Sequence, residues 1–301
     1  MKVVVTGGAG FIGSHITDLL VEKGHEVHVM DNLVHGKREN VNPQAIFHCI
    51  DILDKGIPGL FADIKPDILI HHAAQIKVAK SVADALYDAE VNILGSINLI
   101  DSAAKAGVKK VIYPSSAAIF GEPEYLPIDE KHPLSMISPY GVSKHTVEHY
   151  LDVYYKLYGL KYNVLRYSNV YGSRQDSSGE GGVVAIFTDH FIGNEIPTIF
   201  GDGEQVRDFV YVKDVAKANL MMIENDTNGI YNVCTNEETS INYLVSVFNK
   251  LYSRQVTPKY AAPREGDIKN SYMSYDKINA DTGWKPEYSL LEGLEDMKNE
   301  A

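Results

Sequence analysis

A run of β-branched residues that leads straight into three evenly spaced glycines restricts the fold of this chain more than any other feature. Val3 to Thr6 has the composition of a buried strand, and Gly7, Gly10 and Gly13 follow at the start of an apolar helical stretch. Glycine at such a junction lets the backbone turn tightly and approach a pyrophosphate, and the helix N-terminus supplies free N–H groups. The pattern therefore predicts a dinucleotide site formed by Gly7, Gly10, Phe11, Ile12 and Gly13.

An acidic residue at the end of the second apolar run narrows the choice of dinucleotide. Asp31 lies about 20 residues beyond the glycines, where a carboxylate hydrogen-bonds the ribose hydroxyls of adenosine and repels a 2′-phosphate. NAD is therefore favoured over NADP, although Lys37 and Arg38 are close enough in sequence to leave NADP open. Asp51 and Ile52 follow the third apolar run and are predicted to bracket the adenine.

Short β-branched runs alternate with helical stretches through the first half of the chain. Apolar residues at helical spacing extend from Val82 to Ala106, whereas past about Gly172 the strands become short and Gly, Pro and Asp more frequent. This alternation predicts an α/β fold with a doubly wound, Rossmann-like parallel sheet and a smaller, interleaved C-terminal lobe. We assign the dinucleotide to residues 1–172 and the substrate lobe to residues 173–301. The predicted strands are 2–6, 26–30, 45–50, 66–71, 110–114 and 161–167, and the further predicted helices are 11–23, 139–158 and 183–192.

Tyr140 and Lys144 stand four residues apart near the start of the helix predicted after Ser138. Residues at this spacing share one helical face, so the phenol and the ammonium can serve one site. A free tyrosine has a pKa of about 10, and we expect the ammonium and a cationic nicotinamide ring to lower it. Ser116 ends the fifth strand, whose carboxyl end faces the ligand crevice in such sheets. We predict Ser116, Tyr140 and Lys144 as the catalytic residues, with Tyr140 and Lys144 also contacting the cofactor.

The chain is acidic, with a net charge of −12 and a pI of about 5.4. Nucleic-acid phosphates would be repelled by such a surface, so we expect no nucleic-acid partner. The first apolar run is too short to span a membrane and is interrupted by glycine, which predicts no membrane association and a cytoplasmic location. Cys49 and Cys234 lie in apolar segments and form no CxxC pair, which predicts two buried thiols and no metal site.

Several motifs in succession resemble those of the extended short-chain dehydrogenase/reductase family, most closely the UDP-galactose (UDP-glucose) 4-epimerases. The resemblance extends from Val3 to about Trp284, and Phe120 departs from it where relatives usually carry tyrosine. We expect that departure to matter little because Tyr140 supplies the phenol. The matching blocks are Gly7 to Gly13, Asp31 to Leu33, His72 to Gln75, Ser115-Ser116, Tyr140 to Lys144, Leu165 to Gly172, Phe200 to Gly203, Val206 to Val212 and Arg264 to Asp267.

The resemblance implies NAD as the cofactor and a UDP-sugar as the substrate. Arg207 and Arg264 are forked cations of the kind that a diphosphate needs, and Phe200 offers a face on which uracil can stack. The further residues that it assigns to NAD are Asn32, Ala73, Ala74, Gln75, Asn92 and Tyr167. Those that it assigns to the UDP-sugar are Ser116, Asn169, Val183, Thr198, Phe200, Arg207, Arg264, Asp267 and Ser271.

The two residues after Ser116 distinguish between branches of that family. Relatives that dehydrate or decarboxylate the sugar carry an acidic residue there, whereas this chain has Ala117 and Ala118. This favours 4-epimerisation, in which hydride removal from C4 gives a 4-keto sugar that rotates and takes the hydride back. A NAD(P)-dependent 4-keto-sugar reductase, or another nucleotide-sugar oxidoreductase, stays open as the alternative. An inactive NAD-binding regulator would have no reason to keep the catalytic residues together.

Two finer expectations also rest on the resemblance. Ser271, seven residues beyond Arg264, is small where a tyrosine would crowd a 2-acetamido group, which predicts activity on UDP-GlcNAc and UDP-GalNAc as well. Because Tyr272 is adjacent, a register shift of one residue would reverse that expectation. By analogy with relatives, helices 82–106 and 139–158 are expected to pair across a two-fold axis in a homodimer.

Overall fold

The computed structural model describes residues 1–178, 182–264 and 268–300. The strands are β1 Lys2–Thr6, β2 Glu26–Asp31, β3 Ile46–Cys49, β4 Ile68–His71, β5 Lys110–Ser116, β6 Lys161–Tyr167, β7 Asn169–Tyr171, β8 Thr198–Phe200, β9 Val206–Arg207, β10 Phe209–Tyr211, β11 Gly229–Val233, β12 Thr239–Ser240, β13 Lys259–Ala261 and β14 Asn270–Ser271. The α-helices are α1 Phe11–Glu22, α2 Ile57–Ile64, α3 Val78–Ala83, α4 Ala85–Ala89, α5 Ser96–Lys105, α6 Pro139–Tyr158, α7 Val183–Ile192, α8 Val212–Glu224, α9 Ile241–Leu251, α10 Asp276–Thr282 and α11 Leu290–Glu300. A π-helix occupies Glu90–Gly95, and short 3₁₀ turns occupy Arg38–Asn40 and Ala117–Ile119.

Seven strands form one sheet in the order β11-β6-β5-β4-β1-β2-β3. The strand pairs from β5 through to β3 are all parallel. The strand order reverses between β1 and β4, which is the position where doubly wound sheets open a ligand crevice. Val3, Val4 and Val5 are fully buried because the central strand of a parallel sheet is covered on both faces. The predicted fold class and all six predicted strands of the first half are confirmed.

The helices on one face of this sheet pack into a continuous apolar core. Sheet residues Val4 and Leu69 lie in it together with Phe61 of α2, Leu99 of α5 and Val147 of α6. All five side chains are fully buried. Burial of that kind contributes roughly 1.5–3 kcal/mol for each large apolar side chain. The strand ends that carry the polar candidate residues are therefore held on a rigid base.

The chain forms two compact units, each assembled from three segments. The first consists of Met1–Ile119, Met136–Arg166 and Val215–Tyr231. The second consists of the described residues within Phe120–Ser135, Tyr167–Asp214 and Asn232–Ala301. The smaller C-terminal lobe is thus interleaved in sequence with the first unit. The assignment of functions to residues 1–172 and 173–301 stays a prediction.

A buried carboxylate organises the second unit. Asp208, which follows β9, is 1% exposed and accepts hydrogen bonds from the amides of Thr235 (2.8 Å), Asn236 (3.0 Å) and Met273 (3.3 Å). It also accepts one from the Ser168 hydroxyl at 3.1 Å. Burial raises the pKa of Asp208 above its ordinary value, although the amide donors act in the opposite direction. Asp208 therefore ties four separate chain segments together.

The prediction of a single helix from Val82 to Ala106 is wrong. The segment is divided into α3, α4, the π-helix and α5, and the first break falls at Asp84. Asp84 has φ −147° and ψ 77°, and its side chain accepts a hydrogen bond from the amide of Tyr87 as the N-cap of α4. Aspartate at a cap competes with a continuous helix because its carboxylate binds nearby N–H groups.

The prediction of two buried thiols holds for one cysteine and is wrong for the other. Cys234 is fully buried, but Cys49 is exposed. Cys49 ends β3, which is the edge strand of the seven-stranded sheet and lacks a covering neighbour on one side. In the part of the chain that the structure describes, no helix is both long and apolar enough to cross a bilayer.

Candidate active site

The loop between β1 and α1 is pressed against neighbouring backbone at two of its glycines. Gly7 has φ +69°, and a Cβ there would stand 2.6 Å from the amide nitrogen of Ala73. A Cβ on Gly13 would overlap the carbonyl oxygen of Gly7 and stand 2.9 Å from its carbonyl carbon. Helix α1 begins at Phe11 after Gly10, which has no side chain with which to cap the helix. The first N–H groups of α1 are therefore available to a phosphate.

Asp31 is held at the end of β2 by two backbone donors. Its carboxylate oxygens accept hydrogen bonds from the amides of Ala9 at 3.1 Å and Leu33 at 2.8 Å. A Cβ on Gly36 would lie 2.9 Å from both oxygens, so glycine is needed there for the chain to pass the carboxylate. With only 8% of its surface exposed, Asp31 keeps one orientation. This fixes a negative charge where the sequence predicts the adenosine ribose.

Lys37 and Arg38, the two cations that kept NADP possible as the cofactor, each contact another side chain of the same unit. The Arg38 guanidinium lies over the ring of Phe47 at 4.5 Å. The Lys37 ammonium stands 3.8 Å from the Glu39 carboxylate, and both side chains are largely exposed. The ion pair between two exposed side chains is weak, so the preference for NAD rests on Asp31 rather than on these contacts.

A cavity of about 450 Å³ lies at the carboxyl ends of β1, β2, β3 and β4. Its lining includes twelve of the residues predicted to bind the cofactor, namely Gly7, Gly10, Phe11, Ile12, Gly13, Asp31, Asn32, Asp51, Ile52, Ala73, Ala74 and Gln75. Asn32 donates a hydrogen bond to the Asp51 carboxylate at 2.6 Å, which joins the ends of β2 and β3. The structure thus brings these predicted residues together around one cavity, whose size suits a nucleotide.

Some lining residues were missed from the sequence. Val34, His35 and Leu53 follow the predicted ends of β2 and β3, so their position in the sequence was a usable signal. Tyr87 and Val91 also line the cavity, but they come from the segment taken as one helix. Their exposure to the cavity depends on the break at Asp84, which the apolar spacing did not reveal.

The side chain of Asn92 binds the backbone of Gln75, and Gln75 itself lines the cavity. The Asn92 side-chain oxygen accepts a hydrogen bond from the backbone N–H of Gln75 at 2.8 Å, and the Asn92 side-chain nitrogen donates one to the backbone carbonyl of Gln75 at 3.0 Å. Asn92 also donates to the hydroxyl of Ser143 at 3.1 Å. The π-helix supplies Asn92, and π-helical turns are frequent at functional sites. Asn92 is 1% exposed and does not line the cavity.

The three predicted catalytic residues lie in the first unit, at the end of β5 and in the first turns of α6. Ser138 caps α6 by accepting from the amide of Gly141 at 3.2 Å, which fixes the start of the helix. Ser116 hydrogen-bonds the side chain of Tyr140. Lys144 is buried one turn further on, with its ammonium 4.5 Å from the centre of the Tyr113 ring. The structure thus brings the hydroxyl, the phenol and the amine together.

The protein's own groups do not lower the pKa of Tyr140, and the lowering expected from the nicotinamide cation stays a prediction. Desolvation raises the pKa of Tyr140 to about 12, although the Ser116 hydrogen bond acts to lower it. Burial also lowers the pKa of Lys144 to about 7, although the anions Glu148 and Asp88 act to raise it. Loss of solvent penalises the charged form of both groups, and this outweighs the opposing effects of Ser116 on Tyr140 and of Glu148 and Asp88 on Lys144.

A buried ion pair supports the catalytic helix from behind. Arg166 donates to both oxygens of Glu148, at 3.2 Å and 2.7 Å, and the two side chains are each 3% exposed. Burial alone would raise the pKa of Glu148, but bonds from His145 and Arg166 hold it at about 2. Glu148 is therefore an anion at all ordinary pH values, one helical turn from Lys144.

Apart from Ser116, which lies in the first unit, the residues predicted to bind the UDP-sugar belong to the second unit. Thr198 and Phe200 lie on the exposed face of β8, and the Arg264 guanidinium lies 4.1 Å over the Phe200 ring. Asn169 begins β7 and is exposed, and Val183 begins α7. Tyr167, predicted to contact NAD, ends β6 and is 5% exposed. Asp267 lies outside the described residues.

Ser271 stands beside one of the two predicted diphosphate arginines. Strands β14 and β9 run parallel, and Ser271 is paired with Arg207. The neighbouring Tyr272 directs its hydroxyl to Glu238, a hydrogen bond that helps to raise its pKa after desolvation. In the register of this sheet it is therefore the serine that neighbours the arginine.

Comparison with known proteins gives a consistent result over the whole chain. Residues 3–234 match the model of the NAD dependent epimerase/dehydratase family. The UDP-glucose 4-epimerase of Thermotoga maritima, solved with UDP-glucose, is 44% identical with a TM-score of 0.96, covering 99% of this chain and 98% of its own. A UDP-N-acetylglucosamine 4-epimerase of Methanobrevibacter ruminantium, solved with UDP-N-acetylmuramic acid, is 37% identical with a TM-score of 0.95, covering 99% and 97%.

A third solved relative contains the cofactor that the sequence predicted. The UDP-glucose 4-epimerase of Thermus thermophilus, in complex with NAD, is 42% identical with a TM-score of 0.92, covering 99% of this chain and 98% of its own. These matches confirm the resemblance stated from the motifs and the prediction of NAD. The chain therefore belongs to the NAD dependent epimerase/dehydratase family.

Proposed function

We propose that this protein is a UDP-hexose 4-epimerase that interconverts UDP-glucose and UDP-galactose with NAD. The observation that carries the proposal is the placement of Ser116, at the end of β5, beside Tyr140 in the first turn of α6, with Lys144 buried one turn along the same helix. This group and the glycine-loop cavity lie at the carboxyl ends of strands in one sheet. Two solved relatives of 42–44% identity are named UDP-glucose 4-epimerases, and a third of 37% identity is named a UDP-N-acetylglucosamine 4-epimerase.

The chain's own residues would divide the proton chemistry between them. Tyr140 takes the proton of the sugar's O4 hydroxyl and later returns it, and Ser116 orients the hydroxyl through its bond to Tyr140. When bound, NAD would supply the redox chemistry: removal of the hydride from C4 and its return. The residues proposed to hold NAD are those of the cavity together with Asn92, Tyr140, Lys144 and Tyr167.

A positive charge is needed to make Tyr140 a usable base. Its pKa of about 12 in the protein alone leaves little phenolate at neutral pH. Lys144 contributes part of the required charge as long as it stays protonated, and the nicotinamide cation would contribute the rest. We infer that the phenolate forms only when both positive charges are present, which couples proton removal to cofactor binding.

The residues of the second unit are proposed to bind the substrate's nucleotide. Arg207 and Arg264 would hold the diphosphate, because guanidinium groups bind phosphate oxygens in pairs. Phe200 already carries the Arg264 guanidinium on one face, so uracil would stack on the other face or share this one. Ser116, Asn169, Val183, Thr198, Asp267 and Ser271 complete the proposed set.

Ala117 and Ala118 begin a 3₁₀ turn after Ser116, and neither offers a carboxylate, which speaks against elimination and decarboxylation. The reductase stays the second candidate, and the use of the cofactor separates it from the epimerase. A reductase would have to exchange its nicotinamide after each turnover, whereas an epimerase regenerates it. Asp31, held by two amides, favours retention of NAD over NADP.

The test of this proposal needs only the purified protein and UDP-glucose. We expect conversion to UDP-galactose without added nucleotide, and release of NAD rather than NADP when the protein is denatured. An absolute requirement for added NADPH, with net consumption of it, would instead assign the protein to the reductases.

The sugar's C2 substituent gives a sharper prediction at Ser271. Because serine is much smaller than tyrosine, we expect the wild type to act on UDP-GlcNAc, and Ser271→Tyr to lower kcat/KM for UDP-GlcNAc at least about 10-fold more than for UDP-glucose. The matched variant is Tyr272→Ser, which changes the adjacent residue in the opposite sense. Equal losses on both substrates in Ser271→Tyr, or a gain on UDP-GlcNAc in Tyr272→Ser, would show that Ser271 is not the residue that sets this preference.

We further propose that the protein is a homodimer and acts in the cytoplasm. The proposed contact uses the outer faces of α3, α4 and α6, where Val82, Leu86, Val153 and Leu157 are 45–86% exposed. Val153 and Leu157 are four residues apart and so share one face of α6. An apolar surface of this kind is typical of an interface between copies. The cytoplasmic location stays a prediction from the sequence.

A further inference from the structure

A buried carboxylate beside the active site has no part in the proton transfer described above. Asp88 of α4 is 1% exposed. Its Oδ1 atom accepts hydrogen bonds from the side-chain nitrogens of Gln75 at 2.8 Å and Asn92 at 3.1 Å. Both donors are neutral amides. A carboxylate in such a place is costly to bury, so its presence calls for a function.

The hydrogen bonds around Asp88 lead directly to the catalytic helix. Asn92 donates to the hydroxyl of Ser143 at 3.1 Å, and Ser143 donates to the carbonyl oxygen of Tyr140 at 3.0 Å. Gln75, at the other end of the network, is fixed by the amide of Lys77 at 2.6 Å. Asp88 is thereby held in place relative to both the loop after β4 and the first turn of α6.

Asp88 is one of several charged and titratable groups that surround the catalytic pair. The groups that face Tyr140 and Lys144 are Asp88 of α4, His71 of β4 and the adjoining His72, Tyr113 of β5 and Glu148 of α6. Burial keeps both histidines neutral, since it lowers the pKa of His71 to about 3 and that of His72 well below its ordinary value. The fixed negative charges near Lys144 are therefore Glu148 and Asp88.

The negative charge of Asp88 acts on both members of the pair in the same direction. It raises the pKa of Lys144, against the stronger effect of burial, and so favours the ammonium. It also adds to the effect of desolvation in raising the pKa of Tyr140. Charges in a poorly solvated interior interact much more strongly than they do in water. Removing this charge would therefore make both groups lose their protons at lower pH.

We propose that Asp88 is a positioning residue that acts through Tyr140 and Lys144: its buried carboxylate, held by Gln75 and Asn92 and linked through Ser143 to the first turn of α6, sets the pH range in which the pair works. The inference rests on the proposed epimerase function and deepens it. A base that depends on a neighbouring ammonium needs that ammonium protonated at working pH. Glu148, which is paired with Arg166, acts on Lys144 more strongly than Asp88 does, and Asp88 adds to its effect.

The substitution Asp88→Asn tests the charge with little change of shape. Both amide donors reach the same oxygen, so the asparagine Oδ1 can keep both bonds while the charge disappears. Asp88→Ser is a second neutral variant should the first not fold, and Asp88→Glu keeps the charge. Asp63→Asn is the control, because Asp63 is an exposed residue of α2 in the same unit and changes the net charge equally.

The first readout is the pH profile of kcat/KM for UDP-glucose with the NAD-containing enzyme. In Asp88→Asn we expect both limbs of the profile to move to lower pH by about one unit, the scale of shift that a nearby charge produces. Asp88→Glu should keep the limbs in place even if kcat falls, and Asp63→Asn should behave as wild type. Unmoved limbs in both neutral variants, whatever the loss of kcat, would overturn the proposal.

A second readout does not depend on turnover. The absorbance near 295 nm of each NAD-containing protein, minus that of the same protein with Tyr140→Phe, follows ionisation of Tyr140 alone. Its midpoint should fall by about one pH unit in Asp88→Asn. Should the wild type show no epimerase activity, the proposed function fails; should it be active while this midpoint stays unchanged, only the role of Asp88 fails.

Discussion

Tyr140→Phe is expected to lower kcat for UDP-glucose by at least about 100-fold, the scale of a general acid–base contribution. The phenol is the group that takes the proton from O4, and phenylalanine keeps the ring while removing the oxygen that Ser116 binds. The affinity for UDP should stay unchanged, because the residues proposed to bind the nucleotide lie elsewhere in the chain. Initial rates at saturating substrate, together with calorimetric titration of UDP, measure the two quantities.

A tyrosine on the same helix supplies the control. Tyr150 is 37% exposed, and Tyr150→Phe removes the same oxygen from α6 without touching the catalytic group. We expect that variant to keep wild-type turnover. Near-normal kcat in Tyr140→Phe would remove Tyr140 from the mechanism, whereas equal losses in both variants would point to a structural effect on α6.

Gly13→Ala is expected to destabilise the protein by about 3 kcal/mol, at the upper end of the usual cost of overpacking, and to abolish retention of NAD. The new methyl group would overlap the carbonyl oxygen of Gly7 and press on backbone at Gly8, which cannot move aside as a flexible side chain would. The loop must then shift away from the position in which α1 presents its N–H groups. Chemical unfolding and the NAD content of the purified variant measure both effects.

The matched substitution is Gly59→Ala in α2. A Cβ on Gly59 would meet nothing within 4 Å, so the change adds a methyl group in open space within a helix. We expect it to stabilise the protein by up to about 1 kcal/mol, the usual preference of helices for alanine over glycine. If Gly13→Ala were as stable and as rich in NAD as Gly59→Ala, the close contact at Gly13 would have no role in the site.

The parts of the fold that the sequence predicted well are those in which a local pattern has one tertiary solution. Val3 to Val5 are apolar on both faces and therefore belong in a central strand. Because β2 and β4 pair in parallel with this strand, the glycine loop, Asp31 and the segment after His71 all lie at the carboxyl ends of neighbouring strands. The cavity lining follows from that placement. Motif spacing also located Ser116, Tyr140 and Lys144, because a strand end and a helix start are fixed by the same sheet.

The parts that the sequence did not predict depend on contacts between distant residues. Apolar spacing is continuous from Val82 to Ala106, yet Asp84 caps a new helix and Asp88 turns inward to Gln75. Nothing local distinguishes that buried carboxylate from a solvated one. The sequence also did not reveal that the protein alone raises the pKa of Tyr140: helical spacing indicates the neighbouring amine, but the extent of desolvation is set by the whole surroundings.

The most direct test of the proposed epimerase reaction follows the hydrogen at C4 of the sugar. Purified protein without added nucleotide is incubated with UDP-glucose that carries deuterium at C4, and the product is analysed by NMR and mass spectrometry. The proposed reaction returns the same hydride to the same carbon, so we expect UDP-galactose that retains the deuterium at C4. Absence of conversion until NADPH is added, or a product that carries ordinary hydrogen at C4, would contradict it.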